Sequence, residues 1–364
     1  NETPCTFSIT VPQPVTIDVI SSNSPICEGE DLNISSAASG GTGTLTYVWS
    51  GPDGFTSSLE SPTIADATSS ASGEYSLLVT DENLCTTTGT IDVTVHPTPI
   101  VNPVVVADYC NGDTGNPVVF SGNVAVPTFN WISDTDIGFG TSGTGSIPSF
   151  TATNPTVNPV TATVSVSATA NGCTGPAETF TITVNPTPVL SSPLADEVCS
   201  GIVFSYTPTS NTSGVSFGWS RAAVLGIENA ENSGTGGISE TLVNSTAQIR
   251  TVTYVINMMS TNGCSNTQEL KVTVYPAPSL LSSLTPPDVC SGSSFNYTAV
   301  PSVSPGTAIS WHRPLVAGIS NSAGDGTNNI ISETLINTTN DIIDVPYTFT
   351  LTANGCTTNK DVTV

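Results

Sequence analysis

Carboxylates crowd several loops of this 364-residue chain, and their hard oxygen atoms are the ligands that Ca²⁺ prefers. The candidate calcium ligands are Glu28, Glu30, Asp31, Asp134 and Asp136. No EF-hand spacing and no repeated Asp-rich signature accompanies them, and such clusters are more often solvated acidic loops. The sequence therefore predicts no cofactor and no defined metal site, and calcium is the one candidate metal.

The residues that could support catalysis are few and isolated. His96 lies in a linker and His312 follows a tryptophan on a predicted strand, and neither has a spaced Ser or Cys nucleophile with an orienting acid. The Gly-rich stretches 138–146 and 234–237 lack the Lys and the following helix of a phosphate loop, so we expect long loops or edge-strand bends there. The sequence predicts that the chain is not an enzyme.

The formal net charge is −24, and all five cationic residues follow residue 220. Nucleic acid and anionic membranes need a basic surface, so neither is an expected partner. No apolar run approaches the roughly 18 residues that a membrane span requires, so we expect no membrane insertion.

Eight of the nine cysteines and the four tryptophans recur in a fixed order of early Cys, Trp and late Cys. The four sets are Cys27, Trp49, Cys85; Cys110, Trp131, Cys173; Cys199, Trp219, Cys264; and Cys290, Trp311, Cys356. A chain with two His and no CxxC pair is unsuited to zinc, so the cysteines predict disulfides in an oxidising, extracellular compartment. One Trp per repeat at a fixed register is the expected core residue of a central strand rather than a platform for sugar stacking.

Four segments end in the same way, with a strand that runs into a Pro-x-Pro linker: 9–15, 93–100, 182–189 and 272–279. Proline fixes φ, so these junctions should be extended and semi-rigid. Alternating β-branched and polar residues predict short strands, and Asn-Gly pairs at 171–172, 262–263 and 354–355 predict tight hairpins with positive φ. The sequence thus predicts an all-β chain of tandem immunoglobulin-like β-sandwich repeats in a linear array.

The predicted boundaries follow the linkers. Residues 1–14, with Cys5, correspond to the C-terminal hairpin of a truncated preceding repeat. The complete repeats are then 15–97, 98–186, 187–276 and 277–364, called here the first to fourth repeats.

Two cysteines in each complete repeat make a disulfide inside each repeat the simplest prediction. The pairs would be Cys27–Cys85, Cys110–Cys173, Cys199–Cys264 and Cys290–Cys356, with the partner of Cys5 lying upstream. A disulfide needs Cα atoms within about 7 Å, however, whereas an ordinary immunoglobulin topology puts these cysteines at opposite ends of the sandwich. The alternative is a bridge between neighbouring repeats, such as Cys27 with Cys173 or Cys110 with Cys264.

Several segments resemble the PKD-like repeats of giant surface adhesins, which are typical of gliding bacteria that use the type IX secretion route. They are VCSG at 198–201 and 289–292, GTGGISETLVNST at 234–246, IISETLINTT at 330–339, and NGC before a final strand. The second to fourth repeats match best. The first repeat is more similar to the immunoglobulin-like repeats of such proteins, and its residues 73–75 resemble a tyrosine corner. Tyr254 and Tyr347 stand near the equivalent place, where Thr163 replaces them in the second repeat.

The resemblance implies an extracellular, structural or adhesive stalk at the cell surface. Its partners would be the neighbouring repeats of the same chain, together with surface glycans or proteins. Two alternatives stay open: a glycan- or protein-binding module of a secreted multidomain protein, and a subunit of a surface filament.

Overall fold

The computed structural model describes residues 7–364, so Cys5 and most of the predicted N-terminal hairpin lie outside the described residues. Apart from two short 3₁₀ helices, Pro52–Gly54 and Ser69–Ala71, the regular elements are strands. No helix in the described part of the chain is both long and apolar enough to cross a bilayer. The chain divides into two compact units: one extends to Asn154 and includes Pro159–Val184, and the other comprises Pro155–Asn158 with Asn185–Val364.

In the first unit, the first repeat folds as two antiparallel sheets. Its strands are β1 (Thr16–Ser22), β2 (Ile26–Cys27), β3 (Leu32–Ser39), β4 (Thr46–Ser50), β5 (Thr56–Ser57), β6 (Thr63–Ile64), β7 (Gly73–Thr80), β8 (Thr86–Val93) and β9 (Val95–His96). One sheet has the order β1-β3-β6 and the other β5-β4-β7-β8, while β2 and β9 pair in parallel. The sheets enclose one apolar core around Trp49, Tyr75 and Leu77.

The second repeat has the same plan with one larger sheet. Its strands are β10 (Tyr109–Cys110), β11 (Thr114–Gly115), β12 (Thr128–Ser133), β13 (Ser142–Thr144), β14 (Phe150–Thr151), β15 (Val160–Ala170), β16 (Cys173–Thr174) and β17 (Glu178–Asn185). The order is β10-β17-β15-β12-β13, with β16 paired to β15, and β11 pairs with β14. Alternate residues of β15 are buried, which is the period-2 pattern of a strand with one face on a core.

In the second unit, the third repeat contains the strands β18 (Ala195–Cys199), β19 (Val203–Tyr206), β20 (Val215–Arg221), β21 (Asn232–Thr235), β22 (Ile238–Thr241), β23 (Arg250–Ser260) and β24 (Ser265–Tyr275). The large sheet has the order β18-β24-β23-β20-β21, and β19 pairs with β22. The edge strand β18 runs parallel to β24, and the other neighbouring strands of this sheet pair antiparallel.

The fourth repeat contains β25 (Ser294–Thr298), β26 (Ala308–Arg313), β27 (Gly324–Gly326), β28 (Ile330–Thr334), β29 (Pro346–Ala353) and β30 (Cys356–Thr363). Its sheets are β27-β26-β29-β30 and β25-β28. All four repeats therefore place the Trp strand between a short edge strand and the long strand that leads into the last hairpin. This architecture confirms the tandem immunoglobulin-like β-sandwich fold.

Candidate functional site: the junctions between consecutive repeats

The early cysteine of every repeat lies in the same turn. The turn is closed by the N–H group of the residue three positions later, which donates to the cysteine carbonyl, in Cys27–Glu30, Cys110–Asp113, Cys199–Ile202 and Cys290–Ser293. The intervening glycine has a positive φ, for example 89° at Gly29 and 81° at Gly292, which other residues adopt only with strain. A Cys-x-Gly segment is thus built into one shape four times.

The late cysteine follows the hairpin that joins the last two long strands. In the second and fourth repeats this hairpin is a two-residue turn, with φ of 52° at Asn171, 83° at Gly172, 50° at Asn354 and 80° at Gly355. These values confirm the prediction of tight Asn-Gly hairpins at both places. In the third repeat only Gly263 of the pair has a positive φ, and a longer loop joins β23 to β24.

Disulfides join consecutive repeats. Cys27 of the first repeat bonds to Cys173 of the second, with Cα atoms 5.6 Å apart. Cys199 of the third repeat bonds to Cys356 of the fourth, with Cα atoms 5.7 Å apart. The register is the same in both units: the early cysteine of one repeat bonds to the late cysteine of the repeat that follows it.

The prediction of a disulfide inside each repeat is wrong, and the alternative of bridges between neighbours holds for the two pairs above. The reason is the length of the last strand. Cys199 lies beside Tyr275 at the end of β24, whereas Cys264 directly precedes its start. Eleven residues of strand at about 3.3 Å each put roughly 35 Å between the two places, far beyond the reach of a disulfide.

The remaining cysteines of the described residues fall into two groups. Cys110 and Cys264 are also disulfide-bonded. Cys85 and Cys290 are free and exposed, which corrects their prediction as half-cystines of bridges inside the first and fourth repeats.

Hydrogen bonds connect the Pro-x-Pro linkers of the two disulfide-bridged junctions to neighbouring repeats. In the first unit, the Thr98 hydroxyl donates to the Glu28 carbonyl (3.2 Å), while the Asn123 amide donates to the Thr98 carbonyl (3.1 Å). In the second unit, the Thr358 hydroxyl donates to the Pro278 carbonyl. Each linker therefore packs against protein, next to the disulfide of its junction.

Three of the five calcium candidates lie near the first junction but are engaged by backbone donors. The Cys27 N–H donates to Glu30 Oε2 (2.9 Å), and the Ser69 N–H donates to Glu28 Oε1 (3.3 Å). Asp31 Oδ1 accepts from the N–H of Asp66 (3.2 Å). These carboxylates cap turns of the first repeat.

The other two candidates cap a loop of the second repeat. Asp134 accepts from the Thr163 N–H (2.8 Å), which lowers the pKa of Asp134. Asp136 accepts from the N–H groups of Gly138 (2.8 Å) and Gly140 (2.9 Å), and both bonds lower its pKa. Within residues 7–364 no three His, Cys, Asp or Glu side chains gather as a metal site would require.

The two histidines are far apart in the sequence and take different places. His96 pairs with Cys27 between β9 and β2. His312 Nδ1 lies 2.7 Å from Asp325 Oδ1, where both side chains are more than half exposed. This geometry gives a surface pair on an edge strand.

The tryptophans lie in the cores, and Trp311 is the most exposed of the four. Trp49, Trp131 and Trp219 are buried, and Trp311 is partly buried against Tyr347. In the last three repeats a glycine of the edge strand faces the indole, where an added Cβ would stand 2.4 Å from Trp131 at Gly143, 2.8 Å from Trp219 at Gly234 and 2.3 Å from Trp311 at Gly326. The Gly-rich stretches predicted as edge-strand bends thus make room for the rings.

A buried polar cluster in the third repeat was not predicted. Arg221 is 4% exposed and donates to both carboxylate oxygens of Glu240, from Nε and Nη2 at 2.9 Å each. The Tyr254 hydroxyl donates to Glu240 Oε2 (2.6 Å), and Asn232 donates to Oε1 (2.7 Å). Burial opposes ionisation of Glu240, but the hydrogen bonds from Arg221, Tyr254 and Asn232 outweigh it and lower its pKa from 4.5 to about 2.

The fourth repeat has the same cluster. Arg313 is 1% exposed and donates to Glu333 Oε2 from Nε (2.8 Å), and the Tyr347 hydroxyl donates to the same oxygen (2.7 Å). Burial and the neighbouring carboxylate raise the pKa of Tyr347, as they do for Tyr254. The signal was present in the sequence, because Trp-x-Arg and Ile-Ser-Glu-Thr-Leu each occur once in both repeats.

The tyrosine corner is restricted to the first repeat. The Tyr75 hydroxyl donates to the Ala71 carbonyl four residues upstream (2.9 Å), which is the bond that defines the corner. In the second repeat Val164, and not Thr163, occupies the equivalent position, because Val164 pairs with Ser133 as Tyr254 pairs with Arg221.

Comparison with known families gives one match. The sequence profile of the PKD-like domain matches residues 196–278, which cover most of the third repeat. No curated protein matches the chain. Immunoglobulin-like and PKD-like domains are a non-catalytic kind of domain.

Solved structures with similar folds include arrays of immunoglobulin domains at low identity. Titin domains I67–I69, an E-to-A mutated variant, align with a TM-score of 0.46 and 13% identity over 72% of this chain and 99% of that one. Sidekick-1 immunoglobulin domains 1–5 align with a TM-score of 0.25 and 12% identity over 97% and 79%. The N-terminal eight immunoglobulin domains of Down Syndrome Cell Adhesion Molecule align with a TM-score of 0.30 and 14% identity over 97% and 54%.

Proposed function

We propose that this chain is a load-bearing stalk region of an extracellular cell-surface adhesin, of the kind that gliding bacteria export by the type IX route. The observation that carries the proposal is the disulfide between consecutive repeats in each unit. The PKD-like match and the resemblance of the second to fourth repeats to such adhesins support the same class. In this role the repeats transmit mechanical load from one to the next and catalyse no reaction.

The bridges matter for load because of where they enter the chain. Force applied along the polypeptide would pass from Cys27 through the disulfide to Cys173, so that the 146 residue steps between them could not be stretched. At about 3.4 Å per residue, that segment would otherwise add roughly 500 Å on unfolding. The Cys199–Cys356 bridge bypasses 157 residue steps in the same way. A stalk built so resists lengthening even when a repeat opens.

Single-molecule pulling of the whole chain from its two ends tests the proposal. With disulfides intact, full extension should fall short of the reduced chain by at least about 1000 Å, which is the combined length that the two bridges withhold. The variant Cys27→Ser with Cys173→Ser should recover only about half of that difference. The matched control, Cys85→Ser with Cys290→Ser, removes the two free thiols and should leave the extension unchanged. Equal extension with and without reductant would contradict a covalently restrained stalk.

A further inference from the structure

We infer that Cys85 and Cys290 are binding sites for two further repeats of the same kind on this polypeptide, each joined through an inter-repeat disulfide. Cys290 would bond to the late cysteine of a repeat that follows the fourth, and Cys85 to the early cysteine of a repeat that precedes the first. The inference rests on the cysteine register and stands whether or not the chain is an adhesin stalk.

Among the cysteines of residues 7–364, the register leaves these two without a partner repeat. The bridges Cys27–Cys173 and Cys199–Cys356 each join an early cysteine to the late cysteine of the next repeat. Of the early cysteines, Cys290 belongs to the last repeat, and of the late cysteines Cys85 belongs to the first complete one. Within the described part of the chain they are also the two cysteines that are free and exposed.

The turn around Cys290 has the same hydrogen bonds as the turns around the early cysteines that form disulfides. The Ser293 N–H donates to the Cys290 carbonyl (2.9 Å) and the Gly292 N–H donates to Leu335 (2.8 Å), as the equivalent groups do around the bonded Cys27 and Cys199. Cys85 likewise shares the hairpin closure of the bonded Cys264, because the residue four positions earlier donates its N–H to the cysteine carbonyl in both (3.0 and 2.9 Å). Equivalent positions therefore form disulfides in neighbouring repeats.

The surface beside Cys290 is an open groove, whereas the equivalent surface beside Cys27 is covered by the linker to the next repeat. A groove of about 260 Å³ borders the cysteine and is lined by Val289, Ser291, Ile342 and Val364 among others. The counterpart of Ser291 in the first repeat is Glu28, whose carbonyl accepts from Thr98 in the linker to the next repeat. The occupant that fits the groove is thus the linker and late hairpin of a following repeat.

The bond itself requires an oxidant, which we take to be a small disulfide such as oxidised glutathione. The two protein thiols form one S–S bond, the S–S bond of the oxidant breaks, and the two protons and two electrons end on its two reduced thiols. No other group of the chain takes part.

The test extends the whole chain by one repeat at its C-terminus. Residues 96–186, carrying Cys110→Ser, are appended after Val364, so that the Val-Thr-Val to Pro-x-Pro junction of the first repeat is reproduced. In the extended chain, the added His96 follows Val364, just as His96 follows Val95 in the natural sequence. The added His96 should therefore pair with Cys290 as His96 pairs with Cys27 in the first repeat. After oxidative refolding, Cys290 should bond to the added Cys173, and maleimide labelling of Cys290 should fall from about one per chain to near zero.

A second variant tests the other end, in case one extended chain does not fold. Residues 98–184, carrying Cys173→Ser, replace residues 1–11, and the added Cys110 should then bond to Cys85. Circular dichroism shows which extended chains are folded. As a control, Cys290→Ser in the C-terminally extended chain, or Cys85→Ser in the N-terminally extended chain, should leave the added cysteine free. In a folded chain, persistence of both thiols, or bonding of the added cysteine to a second chain molecule, would overturn the inference.

Discussion

The two units of the molecule use the same junction but build their cores differently. Three equivalent positions in or beside the core hold Gly51, Ile64 and Tyr75 in the first repeat; Ser133, Phe150 and Val164 in the second; Arg221, Glu240 and Tyr254 in the third; and Arg313, Glu333 and Tyr347 in the fourth. The first unit therefore has no buried ion pair at these positions, while each repeat of the second unit has one.

The equivalence follows from hydrogen bonds. Gly112 and Gly201, each two residues after an early cysteine, donate to the carbonyls of Ala152 and Leu242. Phe150 lies two residues before Ala152, and Glu240 lies two residues before Leu242. The two side chains therefore occupy equivalent positions in their repeats. Phe150 contacts Tyr109 and Phe139 edge to face, with ring centroids 5.6 and 5.0 Å apart.

The difference shows that the sandwich does not require the buried ion pair. Removing an Arg and a Glu from water costs several kcal/mol each, and their mutual bonds offset that cost only when the geometry is complete. The second repeat fills the same space with aromatic contacts and meets no such cost. The pair should therefore be costly to break and inexpensive to replace as a whole.

The largest effect is expected from breaking one pair. Glu240→Ala should destabilise the third repeat by about 3 to 5 kcal/mol, because Arg221 is then buried without a counter-charge. The triple variant Arg221→Ser, Glu240→Phe and Tyr254→Val, which copies the second repeat, should cost less than this single change. Hydrogen exchange of β20 and β23, followed by mass spectrometry, measures the opening of this repeat alone.

The matched control for that series is Lys271→Ala. Lys271 forms an exposed pair with Glu269 at 3.9 Å, so its loss should change the stability by no more than about 1 kcal/mol. If Glu240→Ala costs no more than Lys271→Ala, or if the triple variant is the worst of the set, the proposed difference between the two cores is wrong.

A smaller effect should be common to both units. Gly234→Ala and Gly143→Ala each place a methyl group against a Trp ring and should cost about 1 to 3 kcal/mol by overpacking. Gly218→Ala is the control, because its nearest contact is the Gly234 carbonyl oxygen at 3.8 Å. Hydrogen exchange of the Trp strand reports the change, and equal values for Gly218→Ala and Gly234→Ala would refute a steric role for the glycine.

The last effect appears in acid. Because the pKa of Glu240 is lowered from 4.5 to about 2 on folding, its contribution is complete above about pH 4.5 and is lost as the pH falls towards 2. Exchange of β20 and β23, corrected for the intrinsic rate, should accelerate over this range. Glu240→Gln should flatten that dependence, and an unchanged acid slope in this variant would assign the titration to other groups.

The sequence predicted the fold well because its signals are local. Alternating β-branched residues, the Pro-x-Pro linkers and the Asn-Gly pairs each act within a few residues, and Asn171 and Asn354 have the φ values that were predicted. The Cys pairing could not be obtained in this way. Whether Cys27 meets Cys85 or Cys173 depends on the length of the last strand and on how the next repeat docks, which no local pattern encodes.

The buried clusters were missed for a related reason. Arg221 and Glu240 lie 19 residues apart, on strands of different sheets, and composition alone suggests that charged side chains are at the surface. The recurrence of Arg two residues after Trp in both repeats of the second unit was the available signal. The acidic clusters suggested calcium ligands from composition alone, whereas in the structure Glu30 and Asp136 accept hydrogen bonds from backbone N–H groups.

The central claim is that both units, whatever their cores, are closed by a disulfide between consecutive repeats. Proteolysis of the unreduced, alkylated chain followed by mass spectrometry tests it directly. The account predicts peptides that join Cys27 to Cys173 and Cys199 to Cys356, with alkylated Cys85 and Cys290. Peptides that join Cys27 to Cys85 and Cys199 to Cys264 would contradict it.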